Sequence, residues 1–291
     1  MPADLAATPL VFEAIGTRWQ IDSTDPIDAS LAQAILDRIS DFDRTWSRFR
    51  SDSVVADIAR EAGSQDLGVD APPLFALYAR LADATDGAVS PFVGNALNHL
   101  GYDASYSLRE RDEPRAGAPD WASTARLEGT VLHTEVPVTI DIGAAGKGYL
   151  VDLVAGLLTE AGHTGFTVDA SGDIAHRGAP IRVALEHPYV PTRAIGVVTL
   201  TGGALCASAT NRRAWGDGLH HVIDGRTGSP VEEIVATWAL AADTATADGV
   251  ATALFFSPPA ALAASFAAEG VRVFSDGRIE RSPGFGGELF R

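Results

Sequence analysis

The sequence predicts an α+β fold, mixed sheets with packed helices, on three observations. Its 291 residues are 46% hydrophobic and 21% charged, an ordinary globular composition with enough apolar side chain for a substantial core. Apolar residues recur at helical spacing in some segments and in short β-branched runs in others. The two kinds of segment follow one another without the regular β–α alternation of a doubly wound sheet. The length allows one large domain or two lobes, and residues 1–291 are read as a single domain.

Residues 10–22 predict an opening strand interrupted by a glycine. From Asp28 to Ser40, Leu31, Ile35 and Ile39 recur every four residues, one face of an amphipathic helix. After Pro72 and Pro73, the residues Leu74, Leu77, Tyr78 and Leu81 mark a second helix that stops near Gly87. Residues 103–120, rich in Arg, Asp, Glu, Pro and Gly, predict an exposed excursion. Val136–Ile142 is β-rich and feeds the glycine-rich turn Gly143–Gly148. A helix follows, with Leu150, Leu153, Val154, Leu157 and Leu158 on one face; it ends at Gly162 and leads to a strand at Phe166–Val168, completing a strand–turn–helix–strand unit. Strands are expected at 181–186, 195–201, 235–241 and Val271–Phe274, and helices at 244–256 and 260–268.

The net charge of −16 argues against nucleic acid as a partner, because binding a polyanion rests on basic side chains that release its counterions. A phosphate-bearing ligand needs locally placed cations, helix N-termini or a metal. A single cysteine, Cys206, excludes an intramolecular disulfide and a multi-thiolate zinc site. No run approaches the 18 or more apolar residues of a membrane span. Met1–Gly16 has no basic n-region, no sustained apolar stretch and no lipid-accepting Cys, so a cytoplasmic location is expected, or export if the sequence is a mature fragment.

Four stretches carry chemistry. In Asp141-Ile-Gly-Ala-Ala-Gly-Lys147-Gly148, small residues open the backbone to a ligand, the helix start favours an anion and Lys147 adds positive charge. The P-loop pattern fails, since Asp141 and Gly148 stand where Gly and Ser/Thr are required, and a plain tight connection is the alternative. Asp248 and Thr252 lie four apart, on one helix face, and offer two hard oxygens suited to Mg²⁺; alternatively the Asp complements the helix dipole and the Thr simply packs. His220-His221-Val222-Ile223-Asp224 precedes the turn Gly225–Pro230, and adjacent strand residues face opposite ways, so at most one His enters a given site. A surface hairpin whose His donates to a carboxylate is the alternative. Val168–Asp173 closes a strand as a candidate ligand-facing loop, without the G-x-S-x-G of a nucleophile elbow.

Taken in order, these stretches resemble the ApbE family of flavin transferases. Asp141–Asp152 matches its D-[IL]-[GS]-x-x-A-K-G-x-x-x-D block, Asp169–Ile174 approximates N-[LA]-G-G-[DN]-I, His221–Pro230 matches H-x-[IL]-D-P-R-T-G-x-P, and Ala247–Phe255 matches A-D-x-x-x-T-A-L-[FM]. Earlier, Ile15-Gly16-Thr17 stands for M-G-T, Trp46–Phe49 with Asp52-Ser53 for S-x-[FY]-x-x-x-S, and Asp86–Pro91 for D-G-A-F-D-P. The likeness spans roughly residues 12–275 and implies a fold of that family's type, with a cleft between two lobes. It also implies transfer of FMN from FAD to a Thr or Ser hydroxyl of a flavin-carrier protein, with release of AMP. Mg²⁺ would be held by Asp248, Thr252 and the main-chain carbonyl of Ala144. FAD contacts would fall on Ile15, Phe49, Ala88, Val89, Ser90, Asp141, Lys147 and Val222. His221 is the first candidate for the catalytic base and Asp248 the second. The alternatives are an FAD pyrophosphatase giving FMN and AMP, and a non-catalytic flavin-binding protein. The chain departs from the pattern at Gly146, at Ser171 in the loop, at Ala207-Ser208-Ala209 where the family has T-S-G, and at Gly225, where loss of Pro predicts a looser turn.

Overall fold

The computed structural model describes residues 8–290, so the reading of the first seven residues lies outside it. The chain opens with a hairpin, β1 (Leu10–Ala14) and β2 (Thr17–Ser23), rather than one interrupted strand. Gly16 is its turn, at φ +73°, a conformation open to glycine because no Cβ obstructs it. Helix α1 (Ala29–Trp46) starts where the Asp28 side chain accepts the Leu31 N–H, and it runs beyond Ser40 because Phe42 and Trp46 continue the buried face. Helix α2 (Val54–Arg60), unforeseen in the sequence, is capped by Ser53. Then come β3 (Gly63–Asp66), α3 (Ala71–Ala84), α4 (Gly94–His99), α5 (Trp121–Thr124), β4 (Ala125–Glu128) and β5 (Val131–Thr134). The expected strand at 136–142 forms no ladder. Val138, Thr139 and Ile140 are buried, but Pro137 has no N–H, and the Val138 and Asp141 N–H groups go instead to the carbonyls of Ile58 and Pro91. The β-branched run marked burial rather than strand pairing.

Helix α6 (Gly146–Glu160) leads to β6 (Phe166–Asp169) and β7 (Asp173–Arg177). A hairpin follows, β8 (Ile181–His187) and β9 (Val190–Leu200), then β10 (Gly203–Ala209). Short pairs β11 (Ala214–Trp215) with β12 (Leu219–His220) and β13 (Ile223–Asp224) with β14 (Ser229–Pro230) precede β15 (Ile234–Ala241). The chain finishes with α7 (Thr244–Ala253), α8 (Pro259–Phe266), β16 (Glu269–Phe274), β17 (Ile279–Arg281) and β18 (Glu288–Leu289).

The fold class is α+β. Its central sheet has the order β1-β2-β6-β7-β10-β15-β16-β17, with every pair antiparallel. The two faces of this sheet follow from strand periodicity. Ala204 and Cys206 of β10 and Ala239 of β15 face a core built with α1, α3, α6 and α7. The alternate residues Leu205, Ala236 and Trp238 face a second core, closed by Leu185, Val198 and Leu200 of the small β8–β9–β18 sheet. Among the described residues no helix is long and apolar enough to cross a membrane.

Helices α6 and α7 touch backbone to backbone. A Cβ on Gly148 would lie 2.3 Å from the Thr244 carbonyl oxygen and 2.6 Å from the Asp248 Cβ. Gly156, lower on α6, has open space around it. Gly148→Ala is therefore expected to destabilise the protein by about 1–3 kcal/mol by overpacking, whereas Gly156→Ala should stabilise it by about 0.4–1 kcal/mol. Urea unfolding midpoints of the two variants check both signs.

Candidate functional site

Two carboxylates fix the approach of α6 to α7. Asp152, on α6, accepts the N–H groups of Thr244 and Ala245 through its two oxygens, each at 2.8 Å. Asp248, on α7, accepts the Gly148 N–H at 2.8 Å. Each helix thus satisfies donors that the first turn of the other leaves without an intrahelical partner. The exchange brings Thr252 Oγ1 within 3.3 Å of the Ala144 carbonyl, on the loop just before α6. Asp248 precedes Thr252 by one helical turn. The three predicted metal-holding groups therefore share one junction.

Beside them Lys147 forms an ion pair with Asp173, the first residue of β7, and donates to the Ala170 carbonyl at 3.3 Å. Asp173 has no exposed surface, and apart from that ion pair neither of its oxygens has a hydrogen-bond partner among the described residues. Burial first, and the adjacent Asp173 carboxylate second, push the Asp248 carboxyl well above the usual range, against the pull of Lys147 and the Gly148 N–H. Burial opposes the Lys147 ammonium, but the charges of Asp173 and Asp248 outweigh it and hold its pKa above the ordinary value. Two buried carboxylates thus share one ammonium, a centre short of positive charge. The loop Asp169–Asp173, expected to face a ligand, is the β6–β7 turn, with Ser171 and Gly172 at positive φ. It carries the carbonyl and the carboxylate that hold Lys147.

A divalent cation fits this donor set. The groups are a carboxylate, a hydroxyl and a main-chain carbonyl, all hard oxygens of the kind Mg²⁺ takes, and the charge shortfall is one that a cation relieves. Among the described residues no group of three or more His, Cys, Asp and Glu side chains could hold a metal, so the fit rests on this mixed set.

Asp141 lies at the other end of the same loop. Its Oδ1 accepts the Gly143 N–H at 2.7 Å and its Oδ2 pairs with Arg48. Burial would raise its pKa, but the Arg48 guanidinium outweighs that and keeps it below the usual range, hence ionised. Between the two ends, the Tyr78 hydroxyl accepts the Ala144 N–H at 3.2 Å. The Arg48 guanidinium also lies 4.3 Å from the centre of the Phe49 ring and 5.1 Å from that of Tyr102. The His221 ring lies 6.4 Å from Tyr102. Phe49, Arg48, Asp141 and His221 thus gather around Tyr102 as a second cluster beside the α6–α7 junction.

Of the other predicted contacts, Ala88 and Val89 are buried and Ser90 half-buried, its Oγ accepting the Phe92 N–H at 3.2 Å. The Ala88 carbonyl receives the Gly225 N–H at 2.8 Å. That bond corrects the expectation of a looser turn at Gly225: proline could not donate it, and a Cβ there would lie 2.7 Å from the Ala88 oxygen. Ile15 sits at φ +47° in the β1–β2 turn, half-buried against the main core. Val222 is buried in a separate cluster with Ile234, Phe255 and Phe274, and its carbonyl accepts the Val231 N–H. The adjacent histidines point to different partners, although only His220 ends a strand: His220 Nε2 lies 2.8 Å from the Val231 carbonyl, while His221, in the bend that follows, turns toward Tyr102. Sequence reasoning passed over Arg48, Tyr78, Asp152 and Asp173 as site residues. Asp152 had a signal, a carboxylate within an apolar helix; Tyr78 had none, since it reads as core.

The sequence model of the ApbE family matches residues 15–274. The FAD:protein FMN transferase of Vibrio cholerae serotype O1 is 28% identical over 245 residues, covering 78% of this chain and 73% of that protein. The FAD:protein FMN transferase of Klebsiella pneumoniae is 26% identical over 285 residues, covering 89% and 81%. The crystal structure of the ApbE protein of Thermotoga maritima aligns with a TM-score of 0.79 at 24% identity, over 96% of this chain and 97% of that one. The flavin transferase ApbE of Vibrio cholerae aligns at 0.80 with 22% identity, over 96% and 97%, a likeness of fold.

Burial first, and the Arg213 guanidinium second, lower the His221 pKa to about 4, so the imidazole is neutral at pH 7. A folded-state value below the unfolded 6.5 means that this contribution to stability is complete above pH 6.5 and is lost as the pH falls toward 4. His221→Gln should therefore flatten the decline of stability between pH 6.5 and 4. NMR of the His221 ring protons should show a midpoint near 4.

Proposed function

The chain belongs to the ApbE family, and from that we propose that it is an Mg²⁺-dependent FAD:protein FMN transferase that moves FMN from FAD to a Thr or Ser hydroxyl of a carrier protein and releases AMP. The observation that carries this reading is the meeting of Ala144, Asp248 and Thr252, from loops and helices about 100 residues apart, beside Lys147.

The reaction forms a bond from the acceptor oxygen to the FMN phosphorus and breaks the bond from that phosphorus to the bridging oxygen of the diphosphate, whose electrons leave with AMP. Phosphoryl transfer depends chiefly on positioning and charge neutralisation. Asp248, Thr252 and the Ala144 carbonyl would hold Mg²⁺, which supplies positive charge to the diphosphate and to the departing AMP oxygen. Lys147 adds the fixed charge of its ammonium, held at the start of α6 by Asp173 and Ala170. Asp141, ionised and pinned by Arg48, offers an acceptor edge to the flavin, and Phe49 offers an aromatic face. His221, neutral at pH 7 and with no hydrogen-bond partner for its Nδ1 among the described residues, is suited to take the proton of the acceptor hydroxyl.

The test is mass spectrometry of a flavin-carrier protein incubated with this chain, FAD and Mg²⁺, where the carrier should gain the mass of FMN. Free FMN with no adduct would mark hydrolysis instead. Asp248→Asn, which keeps an acceptor for the Gly148 N–H but removes the charge, should lower metal-dependent turnover at least about 100-fold while leaving thermal stability near that of the parent. His221→Ala should slow transfer about 10²- to 10⁴-fold and change FAD binding far less; weakened binding with normal turnover would make His221 a flavin contact.

A further inference from the structure

The exposed excursion after α4 carries an aromatic ring laid flat on Phe49. The Tyr106 and Phe49 ring centroids are 5.2 Å apart and their planes differ by 8°, a parallel stack. Tyr106 is nevertheless 53% exposed, so the stack is not imposed by a surrounding core. Its backbone is held at φ +51°, and Leu108 two residues on at φ +52°, a left-handed conformation that bulky residues rarely adopt. The turn is locked from one side by Asp103, whose Oδ1 accepts the N–H groups of Ser105 at 2.9 Å and Ser107 at 3.1 Å. The Leu108 N–H closes it onto the Gly101 carbonyl at 2.9 Å. Beneath the turn a groove of about 350 Å³ separates Asp103, Ala104 and Ser105 from Arg48, Asn98 and Thr139, so the loop is not packed down along its whole length. This solvent-facing turn over a groove holds the Tyr106 ring flat on Phe49 and edge-on to Tyr102 at 5.6 Å.

We propose that Tyr106 occupies the face of Phe49 that a planar flavin ring takes, so that the 103–108 turn is a gate which FAD displaces on binding. This rests on the reading of Phe49 as a flavin contact. A phenol stacked face to face on Phe49 and an isoalloxazine stacked on that same face exclude each other, because both need the ring at van der Waals distance. The closed fraction of the chain cannot stack flavin, and the apparent Kd is the intrinsic Kd divided by the open fraction. Tyr106 thereby sets how tightly, and how fast, this chain takes up a flavin, and release of backbone strain at Tyr106 and Leu108 favours opening.

The test is FAD binding in EDTA, where no turnover occurs, followed by quenching of flavin fluorescence in the full chain. Tyr106→Ala should lower the Kd about three- to tenfold, the range that loss of one aromatic stack supports, and should raise the association rate. Tyr106→Phe, which keeps the ring, should bind as the parent does, and far-UV circular dichroism should match for both variants because the side chain is exposed. Unchanged affinity in Tyr106→Ala, or weaker binding because the ring grips the flavin from outside, overturns the gate while the transferase reading stands. Absence of FAD binding by the parent and by Tyr106→Ala alike overturns the flavin reading and the gate with it.

Discussion

Helices α6 and α7 each place a carboxylate on the open N-terminal turn of the other. Asp152 takes two backbone donors of α7, and Asp248 takes one of α6. Left unpaired at a buried junction, such donors would each cost about 1–3 kcal/mol, so the exchange decides how the helices meet. Gly148 is its steric counterpart, since any side chain there would collide with the Thr244 backbone. The proposed metal-holding groups need not be steered to one another separately. Once the two helix starts are locked, the loop carbonyl of Ala144 and the hydroxyl of Thr252 are already in reach.

The same lock explains the electrostatics. Bringing Asp248 onto α6 also brings it near Asp173, which arrives on the central sheet, and Lys147 supplies the positive charge that the two carboxylates share. A buried arrangement with more negative than positive charge is costly in isolation and accommodates a cation readily. In a chain of net charge −16, a dinucleotide phosphate would otherwise meet repulsion. The second cluster is of different character: Arg48 is spent on Asp141, and the aromatic rings of Phe49 and Tyr102 lie against its guanidinium. One half of the site is thus rich in charge and the other in aromatic rings.

Much of this was legible in the residues. The four-residue spacing of Asp248 and Thr252, the glycines around Lys147 and the apolar face of α6 are local patterns, and helices turn local patterns into shared faces without help. The run Val136–Ile142 misled because β-branched residues favour any extended, buried backbone, and nothing local says whether a partner strand is present. The β10 strand was passed over because, apart from Leu205, it is built of Gly, Ala, Cys and Ser, residues with little strand propensity, and it is held by its pairing with β7 and β15. Arg48 stood inside the Trp46–Phe49 block without a role of its own, and Tyr78 read as a core position of its helix. Their roles come from Asp141 and Ala144, 93 and 66 residues away.

By itself the sequence determined the α+β class, the chief helices and the residue types that make up the proposed cation and diphosphate site, because each of these is written within a few turns of backbone. Only the tertiary structure decided which carboxylate caps which helix, that Asp173 shares the Lys147 ammonium, that Gly225 donates to Ala88 where proline could not, and that Tyr106 lies across Phe49. Those outcomes depend on approach distances of a few ångströms between segments far apart in the chain. Packing and burial set such distances, and neither is a property of any single stretch of residues.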